Sequence, residues 1–230
     1  MKKILQVIKN RWAEYLLEIL VIIIGISLTL LFNNWREKII ENKEETKLLQ
    51  SIRENLVSDT LMLEKRLTSI DLFISGNKKL LSSNVDSFPS DSLALYIDFV
   101  ATYTKFQANR IGYKELEQSK SSTIIKNREL LQKIILHYEQ KYDLMNEWND
   151  VDKNFVLNDM IPFLSKNFKY SDSPFLFDDA KTTISLLEND DYFKNIIKSG
   201  SIYKQIIKML YVQLKHDTRD LIQAIDEELK

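Results

Sequence analysis

Apolar residues gather in one dense run near the start of the chain, then thin out into a helical rhythm. The run is uncharged from Ile19 to Asn34, and its apolar part ends at Phe32. Leu16 and Leu17 extend it backwards, with one interruption at Glu18. From Trp12 to Trp35 the chain would cover roughly 36 Å as a helix, enough for a hydrocarbon core of about 30 Å and its edges. Trp12, Tyr15, Asn34 and Trp35 stand where interfacial anchors belong. The pattern predicts a transmembrane helix over 15–35 behind a short basic tail, 1–14. A cleaved signal peptide would need a shorter core and a small-residue cleavage site, and Leu30 to Trp35 offers none. A buried soluble helix can also be apolar all round, but the aromatic belt and basic flank favour the membrane.

No Gly or Pro occurs between Gly25 and Gly76, so nothing stops the helix after the span. Leu49, Ile52, Leu56, Leu63, Leu67, Ile70 and Ile74 recur at helical spacing. Asp59 and Arg66 fall on the same seam, which favours packing in a bundle over a long coiled coil. Glu41, Lys43, Glu44, Glu45 and Lys47 read as a solvated face. Ser82 to Ser92 is the clearest loop, with Ser90 or Asp91 as the expected cap of a following helix. That helix is expected over 92–108, with Tyr96, Phe99, Tyr103 and Phe106 as core aromatics.

A short helix is expected over 111–119, a break at 120–123, and a long helix from about Asn127 to Val156 or beyond. Leu130, Leu131, Ile134, Ile135, Tyr138, Tyr142, Met145 and Trp148 should face inward, and Pro162 should bend or restart the helix. After a loop at 168–179, a short helix is expected over 180–198, a turn at Gly200 and a last helix over 202–229. Short helix, Ser-rich break and long helix thus occur twice, at 113–142 and at 192–221. Two helical hairpins, or the ordinary repetition of any helical bundle, explain this echo equally well. The expected fold is all-α: an N-terminal transmembrane helix continuing into an extramembrane helical bundle, 36–230.

Composition narrows the chemistry. Four Gly and three Pro among 230 residues are few against averages of about 7% and 5%, which suits a helical chain. With no Cys, a disulfide scaffold, a thiolate metal site and a thiol nucleophile are excluded. Only two histidines are present, His137 and His216. A net charge of -1 makes no case for nucleic acid. Phosphate-binding glycine loops, HExxH and GxSxG are absent from the sequence. Both histidines read as ordinary helical residues. The pairs Asp178-Asp179 and Asp190-Asp191 fall near expected helix starts, where acids complement the helix dipole. No catalytic residue, cofactor or metal is expected.

Glu18 is the informative residue of the span. At 100° per residue, Arg11, Glu18, Gly25, Thr29 and Arg36 fall within about 20° of one line, with Asn33 about 60° away. A carboxylate in an apolar run is a functional hypothesis by default. Three roles stay open: an edge residue held by water, Arg11 or Tyr15; a helix–helix interface built on Glu18, Gly25, Thr29 and Asn33; or a proton site. Lys2, Lys3, Lys9 and Arg11 precede the span, and Arg36, Lys38, Lys43, Lys47 and Arg53 follow it. The counts nearly balance. A short basic tail is awkward to translocate, whereas a long domain crosses regardless of charge. The expectation is a cytoplasmic N-terminus with the C-terminal domain carried across the membrane.

Two signatures carry a resemblance. One is Glu18-Ile19, Gly25-Ile26, Leu30 and Asn33-Asn34-Trp35-Arg36-Glu37. The other is Tyr113, Leu116, Ser119, Ile125, Asn127, Leu130 or Leu131, and Tyr138. The chain resembles an uncharacterised family of single-span helical membrane proteins typical of Bacteroidota, filed as a domain of unknown function. Lys120 departs from the Gly common there. The resemblance implies a membrane protein with a helical extramembrane domain and implies no activity. The functional expectation is a structural or interaction subunit of an envelope assembly, as a homo-oligomer or with an envelope partner. A ligand-sensing transducer and an ion-coupled subunit using Glu18 are the alternatives.

Overall fold

The structure, a computed structural model, describes residues 2–118, 124–170, 172 and 177–230. Side chains are described from Trp12 onward, Ala13 and Tyr15 excepted. The fold is all-helical, with no strand among the described residues. The chain divides into two compact units, Met1–Leu48 and Leu49–Lys230.

Helix α1 runs Lys2–Leu80 without a break, as the absence of Gly and Pro after Gly25 allows. In the first unit, the side chains of 16–38 are all exposed. In the second unit, α1 buries Leu49, Ile52, Leu56, Leu63, Ile70 and Ile74, the expected stripe, with Leu67 half-buried. Asp59, on the same seam, is wholly buried.

A 3-10 turn, Val85–Ser87, leads to α2, Ser90–Val100. Neither Ser90 nor Asp91 caps it. Pro89 occupies the cap position, and its carbonyl accepts the Ser92 and Leu93 amides. Helix α2 also stops eight residues before the expected 108. The Thr102 hydroxyl donates to the Asp98 carbonyl at 2.7 Å, and residues 102–110 leave the helix as a strap. Tyr103, Thr104, Lys105, Phe106 and Gln107 alternate between exposed and buried, the period of extended chain.

Helix α3 follows as Ile111–Gln118. Residues 119–123, including the expected break and Ser119, lie outside the described residues. Helix α4 covers 128–167. It consists of Arg128–Leu136, Tyr142–Phe155 and Ile161–Asn167, joined by π-helical turns at His137–Lys141 and Val156–Met160. Each π turn adds a residue and rotates the stripe that follows. Leu130, Ile134, Tyr138, Tyr142 and Met145 are buried as expected. Ile135 is exposed, while Leu131 and Trp148 are only half-buried. Pro162 follows the second π turn and does not end the helix, because the widened turn absorbs its missing N–H.

Helix α5, Ala180–Asn189, and helix α6, Asp191–Glu228, part at one residue, Asp190. The expected turn at Gly200 is continuous helix, so the span 198–201 is no break and the second half of the echo loses its two-part form. Local chemistry explains the site of the break. The Asp179 carboxylate accepts the Thr182 amide at 2.9 Å, and Asp190 accepts the Phe193 amide at 3.0 Å, so each acid caps a helix. Gly200 instead lets α6 approach α4, since a Cβ there would lie 3.0 Å from the Phe155 ring. One end of the second unit is a dry apolar cluster of Leu80, Leu93, Ile97, Met160, Leu164, Phe168 and Phe193.

Gly112 marks the closest approach in the bundle. A Cβ there would sit 2.8 Å from the Ile52 backbone nitrogen and 2.9 Å from the Ser51 hydroxyl. Backbone cannot yield as a side chain can. Gly112→Ala should therefore destabilise the fold by about 1–3 kcal/mol, read as a lowered thermal midpoint. Gly25→Ala, with nothing within 4 Å of its Cβ, should leave the midpoint unchanged.

Candidate functional site

In the first unit, α1 presents Leu17, Ile19, Val21, Leu28, Leu31 and Phe32 on all sides, each more than half exposed. The helix containing them is long and apolar enough to cross a membrane near the N-terminus. Glu18, Gly25, Thr29 and Asn33 are all exposed along it. The Thr29 hydroxyl donates to the Gly25 carbonyl at 2.8 Å, which leaves a shallow site with a satisfied hydroxyl. Trp12 and Trp35 flank the run, and the Trp35 ring lies 5.8 Å from that of Phe32. Asn34 is exposed beside it. The Tyr15 and Arg11 side chains lie outside the described residues.

The second signature is structural. Tyr113 is buried and stacks on Tyr138 at 4.5 Å. Burial and the nearby Glu139 push its hydroxyl up to about 12. Leu116 is half-buried. Asn127 caps α4 by accepting the Leu130 amide at 3.1 Å, and its amide donates to Glu228 at 2.6 Å.

The polar chemistry of the second unit gathers around the strap. The Phe106 amide donates to the Tyr211 oxygen at 3.0 Å. Tyr211 donates onward to Asn149 Oδ1 at 2.7 Å, and Asn149 Nδ2 returns to the Phe106 carbonyl at 3.3 Å. Asp59 accepts the Asn109 amide at 2.9 Å and the Tyr142 hydroxyl at 2.6 Å. Asn55 accepts the Gly112 amide at 2.8 Å. A neighbouring ion pair, Asp152 to Lys204 at 2.9 Å, has both side chains almost fully buried. Burial opposes both charges, raising the Asp152 carboxyl and lowering the Lys204 ammonium, while each favours the charged form of the other. Sequence reading missed this web. Its members are separated by up to 156 residues, from Asn55 to Tyr211, and the only local hint was Asp59 on an apolar seam.

His137 is buried in the first π turn. The Thr218 hydroxyl already donates to the Leu214 carbonyl at 2.7 Å, so the contact of 3.3 Å to His137 Nε2 needs the ring to donate. Burial, with Lys141 nearby, pushes the imidazole down to about 4. His216, Asp217 and Asp220 place ligand atoms within 4.8 Å of one another, the one grouping among the described residues able to hold a metal ion. Asp217 is already bonded to Lys141 at 2.7 Å, and His216 to Asp220 at 3.0 Å.

An open cleft of about 620 Å³ lies between the strap, the start of α3 and α4. Lys105, Arg110, Lys114 and Asp150 line it. Arg110 is committed to Glu139 at 2.6 Å and Asp143 at 3.5 Å, and Lys105 to Asp150 at 3.4 Å. Its charges therefore largely offset one another. No known protein family, curated protein or solved structure matches the chain.

Two outcomes follow from this geometry. Lys204→Met should destabilise by about 3–5 kcal/mol, because it strands a buried carboxylate. The double variant Lys204→Met/Asp152→Leu should recover most of that loss in denaturant melts. For His137, the folded value lies below the ordinary imidazole range, so its contribution is complete above about pH 6.5 and is lost as pH falls toward 4. Relative to wild type, His137→Phe should lose less stability as melts are taken from about pH 6.5 down to pH 4, so the difference between the two curves isolates its contribution.

Proposed function

We propose that the chain is a single-pass inner-membrane protein of a bacterial envelope, with a cytoplasmic N-terminus and a periplasmic helical bundle. It acts as a structural or interaction subunit of a larger assembly and performs no catalysis. The observation that carries this reading is the contrast between the two units. The first exposes apolar side chains all round a helix long enough to span a bilayer. The second uses the buried side chains of Tyr211, Asp59, Asn55 and Asn149 to hold its own backbone. The two signatures, at Glu18 to Glu37 and at Tyr113 to Tyr138, support placing the chain with the Bacteroidota family it resembles.

Self-association runs through the face carrying Glu18, Gly25, Thr29 and Asn33. Gly25 offers open space for a second helix, and Thr29 adds no bulk or unsatisfied donor beside it. A second reading, a ligand-sensing transducer acting through a partner, is favoured by the open cleft beside the strap.

Purification from host membranes in mild detergent, with native mass and partner identification, tests the subunit reading. A homo-oligomer that Gly25→Leu and Glu18→Leu dissociate supports the span interface. Stoichiometric foreign proteins support an accessory subunit. A lone monomer, or association unchanged by both substitutions, removes the span interface.

A further inference from the structure

We infer that Asp59 is a proton-operated latch for the strap, closing it firmly when protonated and slackening it when ionised. The geometry sets this up. Asp59 is wholly buried on α1, with Oδ1 on the Asn109 amide and Oδ2 on the Tyr142 hydroxyl. An ionised carboxylate has about four lone-pair sites, and here two neutral donors serve them. Asp152, equally buried, has Lys204 against it. Among the described residues, no cation is among the groups that set the charge of Asp59.

The groups facing it from each packed element are consistent with this. From α4 come Tyr142 and Tyr138, and the buried Tyr138 hydroxyl has no hydrogen-bond partner among the described residues. From the strap comes Asn109. The next residue, Arg110, turns to Glu139 and Asp143. Helix α6 adds no charged group to those acting on Asp59. Burial is thus the dominant influence, and it pushes the carboxyl up to about 6.

The direction of the latch follows from linkage. Opening the strap admits water to Asp59 and returns it to the ordinary carboxylate range near 3.9. The closed form therefore binds the proton more tightly than the open form. Closure strengthens as pH falls through about 6 and is complete near 4, by up to roughly 100-fold for a gap of about two pH units. When protonated, Asp59 Oδ2 donates a hydrogen bond to the Tyr142 oxygen, whose own hydrogen turns to the Thr218 hydroxyl, and Oδ1 still accepts the Asn109 amide. Nothing in the strap has to move for the proton to be held. Global melts mix this effect with that of His137, which has the opposite sign, so a local readout is needed.

The test is amide hydrogen exchange over 101–112 in the full chain in detergent micelles, at about pH 5 and about pH 7.5, corrected for intrinsic rates. Wild-type protection of the strap should rise about tenfold or more at the lower pH. Asp59→Asn keeps the acceptor for Asn109 without the charge. It should show high protection at both pH values and no step. Tyr142→Phe removes one donor to the carboxylate and should move the step to higher pH. Strap protection that ignores pH in the wild type overturns the latch. So does a step that survives Asp59→Asn, or one that Tyr142→Phe fails to raise.

Discussion

The second unit depends on how one non-helical stretch of backbone finds hydrogen-bond partners inside a helical bundle. Residues 102–110 leave helix and form no strand pairing, so side chains must supply their bonds. Tyr211 and Asn149 close a ring with both polar groups of Phe106, while Asp59 and Asn55 hold the amides of Asn109 and Gly112. Each of these partners is buried, where an unmade bond would cost its full desolvation. Helices α1, α4 and α6 are therefore tied together through the strap as well as through apolar contact.

That constraint explains otherwise odd residues. Asp59 sits on the apolar seam of α1 because the strap needs an acceptor there. Gly112 is required because the first turn of α3, just after the strap, meets α1 backbone to backbone. The first π turn brings His137 and Tyr138 inward together, and Tyr138 then receives the Tyr113 ring that anchors α3. In the first unit the balance is reversed. Its apolar side chains face outward, and water cannot stabilise that arrangement, whereas hydrocarbon can.

The long apolar segment of α1 was legible in sequence because it depends on a run and on one helical period. Glu18, Gly25, Thr29 and Asn33 all lie on a continuous helix. Asn127, read as the start of a long helix, and Asp179 and Asp190, read as acids near helix starts, prove to be caps, an effect that acts within four residues. The helical spacing of Tyr96, Phe99, Tyr103 and Phe106 misled, because the same spacing suits a helix followed by a strap with period two. Only partners distant in sequence distinguish the two. The turn expected at Gly200 failed for a related reason. A glycine reads as a chain break in one dimension, but it served here as space for the Phe155 ring.

By itself, the sequence determined the helical class, the apolar segment able to cross a membrane, the long first helix and the inward stripe of α1. These follow from periodicity, from scarce Gly and Pro, and from the absence of charge in one run. Tertiary structure decided where α2 ends, how α4 changes phase through its π turns, which acid is buried without a cation, and which lysine is buried with one. Those outcomes depend on backbone groups meeting side chains from distant helices. Burial then fixes their charge, and no local pattern encodes it.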